Sequence, residues 1–186
     1  MKTTIKHIGF CILLTTISYS CRTVSNKIEY YDITAKPIVM DKKQPQVVIL
    51  YQQGYCSECT RTLSKYVANI CNGTNVKTLI LVSSQQTDPL TLRSNTDAIQ
   101  AHLDDIEKGN SFQIVYDLNP IKRKRAVNQF HIRLFPALLF FYENGKTEYI
   151  PYSKLFSDEE SYVSSEVLHK LSDFAGVELH LYNMKN

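Results

Sequence analysis

Two unbroken apolar runs dominate the first half of the chain: Gln46-Val47-Val48-Ile49-Leu50-Tyr51, and residues 76–82 with Leu79, Ile80 and Leu81. Both lack the polar alternation of a half-exposed strand, so they predict strands covered on two faces. Between them Gly54 interrupts the run, and from Ser57 onward Leu63, Val67 and Ile70, with Tyr66, recur at helical spacing up to Asn72-Gly73. That pattern predicts a helix over 57–70 with a glycine stop. A second helix is predicted over 88–108, opened by Asp88-Pro89, carried by Ile99, Leu103 and Ile106, and closed by Gly109-Asn110. A strand follows over 112–116, then a third helix from Pro120 with Ala126, Val127 and Phe130 on its apolar side.

Residues 137–142 and 146–150 flank Glu143-Asn144-Gly145. Asn-Gly predicts a hairpin with a type I′ turn, which needs positive φ twice. Ser157-Asp158-Glu159-Glu160 predicts the capped, acid-rich start of a final helix through Val163, Val167, Leu168 and Leu171. Residues 22–45, with Pro37, Pro45 and a short alternating piece over 28–33, read as a tether with one early strand. The order of strand–helix–strand units ending in a hairpin and a helix predicts the α/β class, a mixed sheet with helices on both faces.

The first twenty residues stand apart from this pattern. Lys2 and Lys6 precede an apolar stretch over 8–17 that Thr15, Thr16 and Ser18 interrupt. Spanning a bilayer takes about 20 apolar residues, so the segment predicts a cleaved export signal rather than an anchor. Ile17-Ser18-Tyr19-Ser20-Cys21 resembles a bacterial lipoprotein signal with a relaxed lipobox. The resemblance implies cleavage after Ser20 and a lipid on Cys21 that holds a periplasm-facing domain to a membrane. A plain secretory signal, giving a soluble periplasmic protein, is the alternative. The expected organisation is therefore signal 1–20, tether 21–45 and domain 46–186.

Charge narrows the partners. Removing residues 1–20 takes away two lysines and no acid, so the formal charge falls from +3 to +1. Lys122-Arg123-Lys124-Arg125 lacks the interleaved aromatics that grip single strands and reads as a solvated helix face. No nucleic-acid partner is expected.

The chemistry concentrates in Cys56-Ser57-Glu58-Cys59. A CxxC pair serves redox exchange, zinc binding, haem attachment or static cross-linking, and context must decide. Thr60 stands where haem attachment needs histidine. A zinc site needs four ligands, whereas the other cysteines of the processed chain are Cys71 and Cys21, and His102, His131, His169 and His180 are scattered. Redox exchange needs one thiol stabilised as thiolate and a second within reach, and a helix start supplies both through its unpaired N–H groups and its dipole. No metal or cofactor is expected. Cys71 reads as a buried small hydrophobe and His131 as a polar connection residue.

The strand over 47–51, Tyr55 before the CSEC motif, and Leu134-Phe135-Pro136-Ala137-Leu138-Leu139-Phe140-Phe141 leading into Glu143-Asn144-Gly145-Lys146 together resemble the thioredoxin superfamily over about residues 46–175. The extra strand and helix between 84 and 130 make the chain more similar to the TlpA-like and peroxiredoxin-like branch. The resemblance implies that Cys56 is the attacking thiol, Cys59 the buried resolving thiol and Pro136 a cis proline beside them. It also implies that Tyr55, Phe135 and Pro136 dock the substrate strand. Protein disulfides would be the substrates, and a separate electron donor, not identified by the sequence, would recharge the pair.

Three positions depart from that family: Tyr55 replaces its usual tryptophan, Ser57-Glu58 replaces Gly-Pro or Pro-His, and Leu50 replaces a buried acid six residues before the first cysteine. The charge of Glu58 opposes thiolate formation, which argues for a reductant over a strong oxidant. A redox-inert binding or assembly module with a static CSEC disulfide is the competing reading. A thiol peroxidase fits poorly, since no Pro-x-x-x-Thr-x-x-Cys pattern precedes Cys56.

Overall fold

A computed structural model describes residues 28–41, 43–104, 112–157 and 162–179. The leader, Cys21, the Gly109-Asn110 stop and the acidic run 158–160 lie outside the described residues.

The first apolar run forms β3 (Gln46–Tyr51), all six residues buried, paired in parallel with β4 (Lys77–Ser83). Helix α1 (Ser57–Cys71) crosses between them, and α2 (Pro89–Leu103) carries the chain to β5 (Gln113–Asp117), which is parallel to β4. Both crossovers step the same way along the sheet, and crossovers of one hand then place both helices on one face. Leu63, Val67, Leu92 and Ile99 accordingly close over Ile49, Ile80 and Tyr116. Burying a leucine or isoleucine fully is worth about 1.5–3 kcal/mol, so this layer, joined by Val167, Leu168 and Leu171 of α5 (Ser165–Ala175), is the main cohesive element.

The alternate residues Val48, Leu50, Leu79, Leu81 and Val115 face the other way, together with Ala137 and Leu139 of β6 (Ala137–Phe141). Ala126 of the single-turn α3 (Ala126–Gln129), Ile132, Phe135 and the early segment at Ile28 and Tyr30 cover them. Helices thus lie on both faces, but unequally.

β6 runs antiparallel to β3 and to β7 (Thr147–Ile150). At the far edge β1 (Tyr30–Tyr31) pairs with β5 and with β2 (Pro37–Ile38), and the seven-stranded order is β2-β1-β5-β4-β3-β6-β7. β1 falls inside the alternating piece 28–33. β2 is a second strand where the sequence predicts one, and Asp32 makes it possible: Asp32 Oδ1 accepts from the Thr34 and Lys36 N–H groups at 2.8 and 2.9 Å and folds the chain back.

Four local expectations are corrected. Helix α2 ends at Leu103, earlier than 108. The segment after Pro120 gives a 3-10 turn (Lys122–Lys124) and then α3, not one helix. The hairpin loop has one left-handed residue, Gly145 at φ 80°, with Gly145 N–H bonded to Tyr142 O and Tyr142 N–H to Lys146 O, both at 2.9 Å. That is the three-residue loop with a glycine bulge, not type I′. The final helix opens at Ser165, because Ser164 Oγ caps the Val167 N–H, while 152–155 form the one-turn α4 (Tyr152–Leu155) and Val163 bridges to Phe156.

Candidate functional site

The site begins where β3 runs out. Gln52 to Tyr55 form a turn in which Tyr55 N–H donates to Gln52 O at 3.3 Å and Gly54 takes φ 88°, a left-handed value that side chains resist. The turn delivers Cys56 to the N-cap position of α1, where its Sγ accepts the Cys59 N–H at 3.1 Å. Sulfur therefore takes the role that a Ser or Asp oxygen plays at ordinary caps, and meets one of the helix's unpaired donors. Cys56 and Cys59 form a disulfide with Sγ–Sγ 2.03 Å and Cα–Cα 5.3 Å; Cys56 is exposed and Cys59 half-buried. A thiolate released at Cys56 would find the N–H and the positive end of the helix dipole already aimed at it.

The β3–β6 register brings the second part of the site to the same place. Leu50 pairs with Ala137, so Pro136 stands at the sheet end from which the cysteine turn departs. The Phe135–Pro136 bond is cis. The Tyr55 ring packs against Phe135 with centroids 5.0 Å apart, joining the cysteine turn to the proline loop. Phe135 and Pro136 are buried, whereas Tyr55 keeps 40% of its surface exposed and Leu134 is also exposed. The structure thus gathers Tyr55, Cys56, Cys59, Phe135 and Pro136.

The proline loop is anchored from below by Asp117. This carboxylate has no exposed surface, and its Oδ2 accepts the Ala126 N–H at 2.7 Å, pinning α3, from which the chain runs on to Pro136. Burial pushes the Asp117 carboxyl up to about 6, against the pull of the Ala126 bond and of Arg125.

Other singled-out residues lie apart or in plain roles. Cys71 is buried against the α1-side core, and burial pushes its thiol up to about 12. His131 is exposed at φ 52° in the turn after α3. Arg125 of the basic run bonds the Asn119 and Ser84 carbonyls at 2.9 and 3.1 Å. Glu58 pairs with Arg61 at 3.5 Å, which offsets its charge near the thiols. Leu50 is fully buried among apolar neighbours on the α3 side. Among the described residues no cluster of three or more His, Cys, Asp or Glu is placed to hold a metal ion.

Sequence reasoning missed Tyr152. Its Oη lies 3.6 Å from Cys59 Sγ across 93 residues of sequence, and nothing local to Pro151-Tyr152 signals that contact.

No family model matches the sequence, and no curated protein matches it. Solved structures do. A candidate thiol-disulfide oxidoreductase from Bacteroides vulgatus is similar at TM-score 0.53 and 11% identity, over 87% of this chain and 95% of that one. MTB dsbF, solved in mixed oxidised and reduced forms, is similar at 0.51 and 10% over 81% and 96%. The exposed lipoprotein thioredoxin of Streptococcus pneumoniae is similar at 0.50 and 15% over 78% and 97%. These likenesses establish the thioredoxin fold, with the strand–helix unit β5 and α2 inserted, and with the cysteine pair at disulfide distance.

Proposed function

We propose that this chain is a membrane-tethered thiol-disulfide oxidoreductase that acts on exported proteins through Cys56 and Cys59. The observation that carries the reading is the placement of the exposed Cys56 Sγ on the helix N-cap, receiving the Cys59 N–H at 3.1 Å. In the reduced protein that geometry favours a Cys56 thiolate, the species that attacks a disulfide sulfur. The attack gives a mixed disulfide on Cys56 and releases one substrate thiol. Cys59 then attacks Cys56 Sγ, releases the second substrate thiol and leaves the pair oxidised. The apolar rim of Tyr55, Phe135 and Pro136 docks the substrate backbone beside the sulfurs.

The proposed direction is reduction. Glu58 adds negative charge next to the thiols, and no histidine stands between the cysteines to stabilise a thiolate strongly, although Arg61 softens the effect of Glu58. Recharging the pair needs a separate electron donor. The placement outside the cytoplasm, with residues 1–20 removed and a lipid on Cys21, is supported by the leader pattern and by the likeness to an exposed lipoprotein thioredoxin. No described helix is long and apolar enough to cross a membrane. The attachment proposed is the lipid on Cys21.

Insulin reduction tests the reading. The dithiothreitol-reduced domain should precipitate insulin B chain catalytically, and Cys56→Ala should abolish this. One observation favours a competing role as a static binding module: Leu50 is fully buried among apolar neighbours and presents no proton acceptor to the pair. That role predicts no insulin reduction by the wild type.

A further inference from the structure

For Cys59 to resolve a mixed disulfide it must first lose its proton while half-buried at the head of α1. Desolvation there opposes the charged form unless a donor faces the sulfur. Tyr152 is such a donor. Its Oη lies 3.6 Å from Cys59 Sγ, within the reach of a hydrogen bond to sulfur, and with Cys59 in the disulfide the phenol supplies the hydrogen.

The phenol is held in place by its own small scaffold. Pro151 caps α4, Lys154 N–H bonds Pro151 O at 2.9 Å, and fully buried Leu155 anchors the turn in the core. The Tyr152 ring packs on Phe156 with centroids 5.6 Å apart, and Phe156 bridges to Val163. Ser164 N–H bonds Leu155 O at 2.8 Å, tying α4 to the start of α5. The charged groups on the surrounding elements are Glu58 and Arg61 of α1, paired with each other, Lys65 further along α1, exposed Lys154 of α4, and Glu166, His169, Lys170 and Asp173 of α5.

We propose that Tyr152 is a proton-handling partner of the resolving thiol: its hydroxyl donates a hydrogen bond to the Cys59 thiolate and so sets the pH at which mixed disulfides resolve. This rests on the exchange reading of the pair. Tyr152 is in turn freed of that bond, and of no other bond to the site, by Tyr152→Phe, which keeps the ring on Phe156.

The test uses the reduced domain and 5,5′-dithiobis(2-nitrobenzoate) in a stopped-flow instrument. Cys56 thiolate attacks the reagent, forms a Cys56 mixed disulfide and releases one thionitrobenzoate. Cys59 thiolate then attacks Cys56 Sγ, the mixed disulfide breaks and a second thionitrobenzoate leaves. Two electrons pass from the pair to the reagent, and the Cys59 proton goes to solvent. The rate of the second release is followed from about pH 6 to 10, the range over which thiols ionise. Loss of a hydrogen bond to a charged group should move the Cys59 midpoint up by about one pH unit in Tyr152→Phe.

A more basic thiolate is also the better nucleophile, with a Brønsted slope of about 0.4–0.5. The variant should therefore resolve about threefold to fourfold more slowly at neutral pH, yet about threefold faster on the alkaline plateau. A purely structural role would lower the rate at every pH and leave the midpoint in place. An unmoved or lowered midpoint, whatever the rate, overturns the proposal and leaves the exchange reading standing. No first release from the wild type overturns both.

Discussion

Asp117→Asn isolates the fully buried carboxylate beneath the proline loop. Its carboxyl stands at about 6 against an ordinary 3.8 because burial disfavours its charge more than the Ala126 N–H and Arg125 favour it. The folded state thus holds a proton that the unfolded chain has already released between those two values. Stability from this group is fully present below the unfolded value and is lost as pH rises through the folded one. A difference of about two units, at about 1.4 kcal/mol each, sets the loss near 3 kcal/mol. Asparagine keeps an oxygen for the Ala126 N–H, which Asp117 holds at 2.7 Å, but does not titrate. Urea unfolding of both proteins at intervals between about pH 3 and 7 should show the variant gaining on the wild type by about 3 kcal/mol, most of it between pH 4 and 6. A pH-independent difference would refute the reasoning, because it would mean that Asp117 ionises alike in the folded and unfolded states.

Three further outcomes follow from the site. With its thiol pushed up to about 12, Cys71 should resist iodoacetamide in the native reduced protein while Cys56 reacts, and should label only after denaturation; mass spectrometry of the alkylated chain checks this. Gly54→Ala meets no atom within 4 Å but must keep φ 88°, so it should cost about 1 kcal/mol in denaturant unfolding, from backbone strain alone. Equilibration with glutathione should place the pair near the thioredoxin potential of about −270 mV, and a value near that of DsbA, about −120 mV, would reverse the proposed direction.

The parts of this molecule that were legible in the sequence are those whose cause is local. β3, β4 and β6 announce themselves as unbroken apolar runs because both faces of the central sheet are covered. Helix α1 shows its buried stripe, and Asp88-Pro89 announces the start of α2, where Asp88 does cap the Thr91 N–H. The CSEC motif and Pro136 were recognisable from the elements around them, and the register Leu50–Ala137 explains why they meet.

What escaped depends on partners distant in sequence or on competition between near-equal signals. β2 is two residues long and exists through the Asp32 turn and its pairing with β1. Ser157 and Ser164 both precede acids and apolar residues, and it is Ser164 that caps the last helix. The Asn-Gly pair marks the hairpin but does not choose between a two-residue and a three-residue loop; the Tyr142–Lys146 bond chooses the longer. Tyr152 reaches Cys59 only once β7 has returned the chain to the head of α1.

The central claim is that Cys56 attacks and Cys59 resolves, and single-cysteine trapping tests it most directly. Reduced Cys59→Ala and Cys56→Ala proteins are each incubated with oxidised insulin and run on a non-reducing gel. The exposed Cys56 at the helix cap should accumulate a mixed disulfide in Cys59→Ala, and Cys56→Ala should trap little or none. Equal trapping by both variants, or trapping through Cys59 alone, would contradict the assignment of roles, and no adduct on either would contradict the exchange chemistry itself.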